Sequence, residues 1–243
     1  MAGAHAEPLA HGHDHGHDEA LHHQFEDIGQ QNESYLVGMW TFLVTEVMFF
    51  GALFFTYTLY RLNYQYDFWV AHEHLDWKLG AFNTTVLLFS SFTMVMAVQS
   101  AQLKKRSHVM RYLEITVACA FIFLGVKYVE YSSKFADHLY PGISFSTDPK
   151  VFGEHGFVNG VPMVNMNHAQ LFYGLYFGMT GLHAVHIIVG IGVLTALWRL
   201  WKNHAKSVTV DYVPTELVGL YWHFVDLVWI FLFPLMYLMP TPH

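Results

Sequence analysis

Five apolar stretches, residues 35–60, 80–103, 112–133, 171–198 and 217–239, limit what this chain of 243 residues can fold into. Each exceeds the roughly twenty residues needed to cross a hydrocarbon layer about 30 Å thick at about 1.5 Å per helical residue. Backbone groups in hydrocarbon must be satisfied within the protein, and none of the stretches shows the polar alternation of a barrel strand, so they are predicted to be helices. Tyr57, Tyr60, Trp69, Trp77, Tyr128, Tyr131, Trp198 and Trp201 fall near the predicted ends, where an aromatic belt belongs. The composition agrees: 53% of residues are hydrophobic and 13% charged, against roughly 25% charged in globular proteins. The predicted fold is an all-α membrane protein, a bundle of five transmembrane helices.

Charge sets the expected orientation. Lys104, Lys105, Arg106, Arg111, Arg199, Lys202 and Lys206 share one side with the N-terminus, while Arg61, Lys78, Lys134 and Lys150 lie on the other. By the positive-inside rule the N-terminus is cytoplasmic and the C-terminus outside. The net charge of −7 and the scattered cations exclude a stripe that would track nucleic acid. Cys119 is the only cysteine, so there is no intrachain disulfide framework and no four-cysteine metal site. Residues 1–34 read as a disordered, His-rich cytoplasmic tail without the pattern of a signal or transit peptide. His11, His13, His15, His17, His22 and His23, set among acidic residues, could bind a divalent metal, but nothing in that spacing fixes a geometry. Residues 134–170, punctuated by Pro141, Pro149 and Pro162, read as an outer loop capping the bundle.

Ionisable side chains at bilayer depth are costly and usually face the bundle interior or a cavity. Glu46 in the first span, His183 and His186 in the fourth, and His223 and Asp226 in the fifth are the candidates. Alternating helix directions bring Glu46, His186 and Asp226 to similar depths, where they could meet. A carboxyl among Phe42, Leu43, Phe49 and Phe50 is expected to be neutral or to share a proton with a neighbour. The bland alternative for all five is interhelical hydrogen bonding. The two i, i+3 pairs, His183/His186 and His223/Asp226, each share a helix face, but no His-Glu-x-x-His occurs and no metal is assigned to the spans. Lys127 and Glu130 read as a structural ion pair, with the lysine snorkelling outward. Gly174, Gly178 and Gly190, with Ser90 and Ser91 on the second span, read as helix-packing positions where a neighbouring backbone approaches closely.

Four strings, Thr45-Glu46-Val47-Met48-Phe49-Phe50, Asn83 through Ser91, Thr180 through His186, and Tyr221-Trp222-His223-Phe224-Val225-Asp226-Leu227-Val228-Trp229, resemble subunit III of the haem–copper oxidases. The likeness runs in order over about residues 35–239 and includes Lys127 through Tyr131, where mitochondrial forms carry glutamine at the lysine position. It is closest to the five-helix bacterial form, which lacks the two helices that build one arm of a phospholipid-holding cleft in larger members. The resemblance implies a subunit without a redox centre, beside a catalytic subunit I that holds the haems and copper, stabilising it and supporting proton uptake in aerobic respiration. It also implies a place in the bacterial inner membrane, other oxidase subunits and lipids as partners, membership of a larger respiratory supercomplex as a further option, and phospholipid as the candidate ligand, with a partner supplying the missing arm. Glu46 then matches the family's buried carbodiimide-reactive glutamate, and His186, His223 and Asp226 match residues near it.

Other readings stay open on sequence alone. Quinol oxidases and a nitric oxide reductase accessory protein have related subunits; glutamate rather than aspartate at Glu46 favours the cytochrome c branch. A proton-coupled transporter or channel would use Glu46 and the histidines as a relay. The absence of an internal repeat weighs against transporters built from inverted repeats.

Overall fold

A computed structural model describes residues 25, 27–142, 145–146, 152, 157–158 and 161–240. Among these residues there are five long helices: α1 (Ile28–Asn63), α3 (Trp77–Gln102), α4 (Arg106–Ala136), α5 (Met166–Lys202) and α7 (Val213–Tyr237). Two short helices, α2 (Gln65–His72) and α6 (Lys206–Thr209), lie in the connections, and a two-residue antiparallel hairpin pairs β1 (Phe157–Val158) with β2 (Val161–Pro162). Each long helix is apolar and long enough to cross a membrane.

Helix starts follow capping chemistry. Asp27 accepts a hydrogen bond from the Gln30 backbone at 2.6 Å, Asp76 from Lys78 at 2.9 Å and Asn165 from Asn167 at 3.0 Å, while α7 begins with Pro214 in its first turn. The Asp27 cap corrects one boundary: residues 28–34, assigned to the tail from sequence, are the first two turns of α1. Residues 1–24, with the His-rich tract, lie outside the described residues, as do 143–144, 147–151, 153–156 and 159–160 of the loop at 134–170. Three helices end alike. After α3, α4 and α5 the chain passes through Lys104, His138 and His204 at φ of 55°, 54° and 53°. The following amides, of Lys105, Leu139 and Ala205, then bond back to Ser100, Lys134 and Leu200 carbonyls. This is the closure usually given to glycine.

The core is a ring of four helices in which α3 packs on α4 and α7, and α5 packs on α4 and α7. Trp222, Trp229, Phe123, Leu87, Met94 and Leu113 fill it. Helix α1 lies outside the ring, mainly against α7, and buries one stripe: Leu43, Phe50 and Tyr57, seven residues apart. At the end of the bundle that carries α2, Phe68 packs on Tyr57 and Phe172, and the Tyr173 hydroxyl donates to the Ala71 carbonyl. Asp67 joins α2 to α5 by accepting from Asn165 N–H at 3.1 Å and pairing with His168 Nδ1 at 2.6 Å. Nearby, burial pushes the His72 and His74 imidazoles below their ordinary range.

Candidate functional site

The predicted polar residues separate into three places. The first holds two of the three residues placed at a similar depth, Glu46, His186 and Asp226: His186 Nε2 lies 3.2 Å from Glu46 Oε2, and His186 Nδ1 lies 2.9 Å from the Leu182 carbonyl. The carbonyl can only accept, so Nδ1 carries a proton in that arrangement, and Nε2 is left to accept from a protonated Glu46 or, in the imidazolium, to donate to its carboxylate. The Phe50 ring packs edge-on to His186 at 5.2 Å. The side chains of His186 and Glu46 are 18% and 19% exposed, so the pair sits at the seam between α1 and α5 and looks out of the bundle. The Tyr221 hydroxyl, from α7, donates to the His186 carbonyl at 3.0 Å and ties the third helix to the seam.

The second place is Lys127 and Glu130, and here the snorkelling expectation is overturned. Lys127 is 3% exposed and points into the ring of helices. Its Nζ donates to Glu130 Oε2 at 2.9 Å, Tyr237 Oη at 3.0 Å and Tyr176 Oη at 3.1 Å, using all three ammonium protons. Glu130 Oε1 accepts from Tyr237 at 2.5 Å and from Tyr176 at 2.7 Å. Rings of Tyr131, Tyr176, Trp229 and Tyr237 stand 5.0–5.7 Å from the ammonium, within cation–π range. A lysine drawn inward by a carboxylate, two phenols and aromatic faces gains more than one reaching for the interface. Sequence reasoning missed Tyr176 and Tyr237; their signal was the spacing of aromatic residues on the two neighbouring helices, which carries no meaning until the helices are placed.

The third place is on α7. His223 Nδ1 lies 2.7 Å from Ser91 Oγ, and Asp226, 2% exposed, has neither oxygen hydrogen-bonded among the described residues. The depth argument brought Glu46 to His186 but did not bring Asp226 to them. His183 is fully buried between Phe123 and Trp229, at ring separations of 5.6 and 5.3 Å, and both its nitrogens are unbonded among the described residues. It therefore does not share a site with His186 despite the i, i+3 spacing. Among the described residues no group of three or more His, Cys, Asp or Glu converges.

The packing residues also divide. Ser90 Oγ accepts from Trp222 Nε1 at 2.9 Å, and a Cβ at Gly190 would lie 2.6 Å from the Trp222 ring, so Gly190 makes room for an indole rather than a backbone. Gly178 has nothing within 4 Å and Gly174 only Pro141 at 4.0 Å, which corrects the predicted row of close backbone contacts. Gly80, not among the predicted packing positions, is another: a Cβ there would meet Phe233 at 2.7 Å.

Fold and site together define a polytopic helical membrane subunit with buried polar contacts. Its kinship is specific. The family model for cytochrome c oxidase subunit III matches residues 22–171 and 162–240, and the chain belongs to that family. It is 30% identical to cytochrome c oxidase subunit 3 of Pyricularia grisea over 81% of this chain and 64% of the relative. Identity to the protein of that name in Synechocystis is 29%, over 95% of this chain and 80% of the relative. A probable quinol oxidase subunit 3 of Staphylococcus saprophyticus is 26% identical over 84% and 88% of the two chains. The chain is thus subunit III of a haem–copper oxidase, a multi-pass protein of the bacterial inner membrane.

Proposed function

We propose that this subunit works without a redox centre of its own, packing beside the catalytic subunit that carries the haems and copper, stabilising it during turnover and supporting proton uptake. The observation that carries the reading is the Glu46–His186 pair, a hydrogen-bonded carboxyl and imidazole partly open at the seam of a first helix that is itself loosely held. Such a pair can hold or pass a proton at the edge of the bundle, where a neighbouring subunit would meet it. In this reading the N-terminus is cytoplasmic, phospholipids fill the open side of α1, and the assembly is one of aerobic respiration, free or within a supercomplex.

The test is Glu46→Ala in the purified oxidase. Haem spectra stay as in the wild type, while the number of turnovers before inactivation falls several-fold. Loss of the haems on substitution would instead make this chain a ligand donor and end the proposal.

The electron donor is proposed to be cytochrome c, from the glutamate at Glu46. The relatives named quinol oxidase subunit 3 favour the second reading, a quinol. Steady-state oxidation of reduced cytochrome c against ubiquinol or menaquinol by the same preparation separates the two.

A further inference from the structure

The buried Asp226 carboxyl and a groove on the neighbouring membrane face belong together. Asp226 is buried on α7 one turn beyond His223, and Ser91 of α3 stands beside it. A carboxyl at this depth with no hydrogen-bond partner among the described residues is costly, and such groups in native proteins are commonly met by water.

A groove of about 230 Å³ opens between the last turns of α3 and the first turns of α7. At roughly 30 Å³ per water it has room for several molecules. Its walls are two facing stripes. On α3 they run inward from Gln102 through Gln99 and Val95, and the next residue on that face is Ser91. On α7 they run from Glu216 through Gly219 to His223, and the next residue on that face is Asp226. Gln99, Gln102 and Glu216 give the mouth polar groups, and His223 forms the inner end, joined to Ser91 at 2.7 Å. The polar line ends beside Asp226, whose two oxygens make no hydrogen bond among the described residues.

We propose that this groove is an aqueous half-channel through which Asp226 exchanges protons with the membrane face bearing Gln102 and Glu216, with His223 and Ser91 as the relay. The step is a reversible proton exchange: the imidazole takes a proton from groove water at one nitrogen and gives one up at the other to the Ser91 hydroxyl, which passes its own proton to the carboxyl. No bond other than O–H and N–H changes. Cys119, from α4, lies close enough to Asp226 to feel its charge. The purpose assigned to the channel rests on the proton-related role proposed for the subunit, but exchange is measured without turnover, so the two stand or fall separately.

Two measurements on the oxidase complex test it. On a Cys119→Ser background, Gln99→Cys and His223→Cys are expected to react with a membrane-impermeant, positively charged thiosulfonate added at that face, while Leu227→Cys, exposed on the apolar side of α7, does not. Failure of His223→Cys to react while Gln99→Cys does would close the channel short of the relay and overturn the proposal, as would failure of both. In infrared spectra, the carboxylic acid band identified by its loss in Asp226→Asn is expected to shift on transfer to D₂O, and His223→Phe to slow that shift by an order of magnitude. An unchanged exchange rate in His223→Phe, or the absence of any Asp226 acid band down to the lowest pH at which the complex is intact, would also overturn it.

Discussion

Removing Glu130 should be the most damaging single change in the half of the bundle that carries α2. In Glu130→Leu the Lys127 ammonium loses its counter-ion, and the Tyr176 and Tyr237 hydroxyls lose the acceptor they share. If these contacts were ordinary interhelical hydrogen bonds, membrane-protein cycles put them at about 0.6 kcal/mol each, so the three would sum to about 2 kcal/mol. Stranding a buried charge costs more, about 3–5 kcal/mol. The side chains are 4% and 3% exposed, so water cannot reach the ammonium without unpacking the ring, and the larger figure should apply. Lys127→Met alone strands the carboxylate and should cost a similar amount. The double variant, Lys127→Met with Glu130→Leu, removes both charges and leaves the two tyrosine hydroxyls, 3.4 Å apart, to bond to each other, so its stability should return to within about 1 kcal/mol of the wild type. The assay is a double-mutant cycle, read as the free energy of unfolding of the bilayer-reconstituted subunit in detergent titrations. Costs near 2 kcal/mol that simply add in the double variant would refute the charge argument and reduce the cluster to interhelical glue.

Three further outcomes follow from single positions. Gly190→Ala forces its methyl group to within 2.6 Å of the Trp222 ring and should destabilise by about 1–3 kcal/mol, whereas Gly178→Ala meets nothing within 4 Å and should be close to neutral; thermal denaturation of the two side by side checks the contrast. Asn83 is fully buried with both amide atoms unbonded among the described residues, so Asn83→Leu should leave stability unchanged or raise it in the same assay. Burial is the main cause that depresses His72 and His74, so the unfolded chain binds protons first as pH falls: their contribution is fully present above about pH 6.5 and is lost below it. Proteolysis of the α2 region should therefore accelerate below that pH, and His74→Phe should flatten the dependence.

How much of this was legible beforehand depended on the range of the interaction. The five helices followed from hydrocarbon thickness, a constraint that each segment meets by itself, and counting residues placed Glu46 and His186 at a shared depth, which allowed their contact. Rotation about each helix axis does not follow from counting. That is why Lys127 could be given a partner at i+3 but not the two tyrosines on α5 and α7, and why Asp226 reached the right depth on a different face. The ends of α3, α4 and α5 were obscured for another reason: Lys104, His138 and His204 occupy the left-handed conformation that glycine usually announces. The cost of such a residue, about 1–2 kcal/mol, is offset by the backbone bonds that close each helix.

The two acid–base pairs show why similar chemistry serves different ends. Lys127 and Glu130 are enclosed on every side and spend all the ammonium's hydrogen bonds within the chain, so disturbing them disturbs this fold first. Glu46 and His186 are about five times more exposed, at 19% and 18% against 3% and 4%, and lie under a helix held by one stripe of residues. With the imidazole neutral, removing Glu46 strands no charge, because Nδ1 still donates to the Leu182 carbonyl. The expected cost to the isolated subunit is therefore small, below about 1 kcal/mol, the scale of a single hydrogen bond. A Glu46→Ala subunit that is stable alone, in a complex that loses activity faster, would place the effect of this carboxyl across the interface. A subunit destabilised as severely as Glu130→Leu would return Glu46 to the role of internal glue.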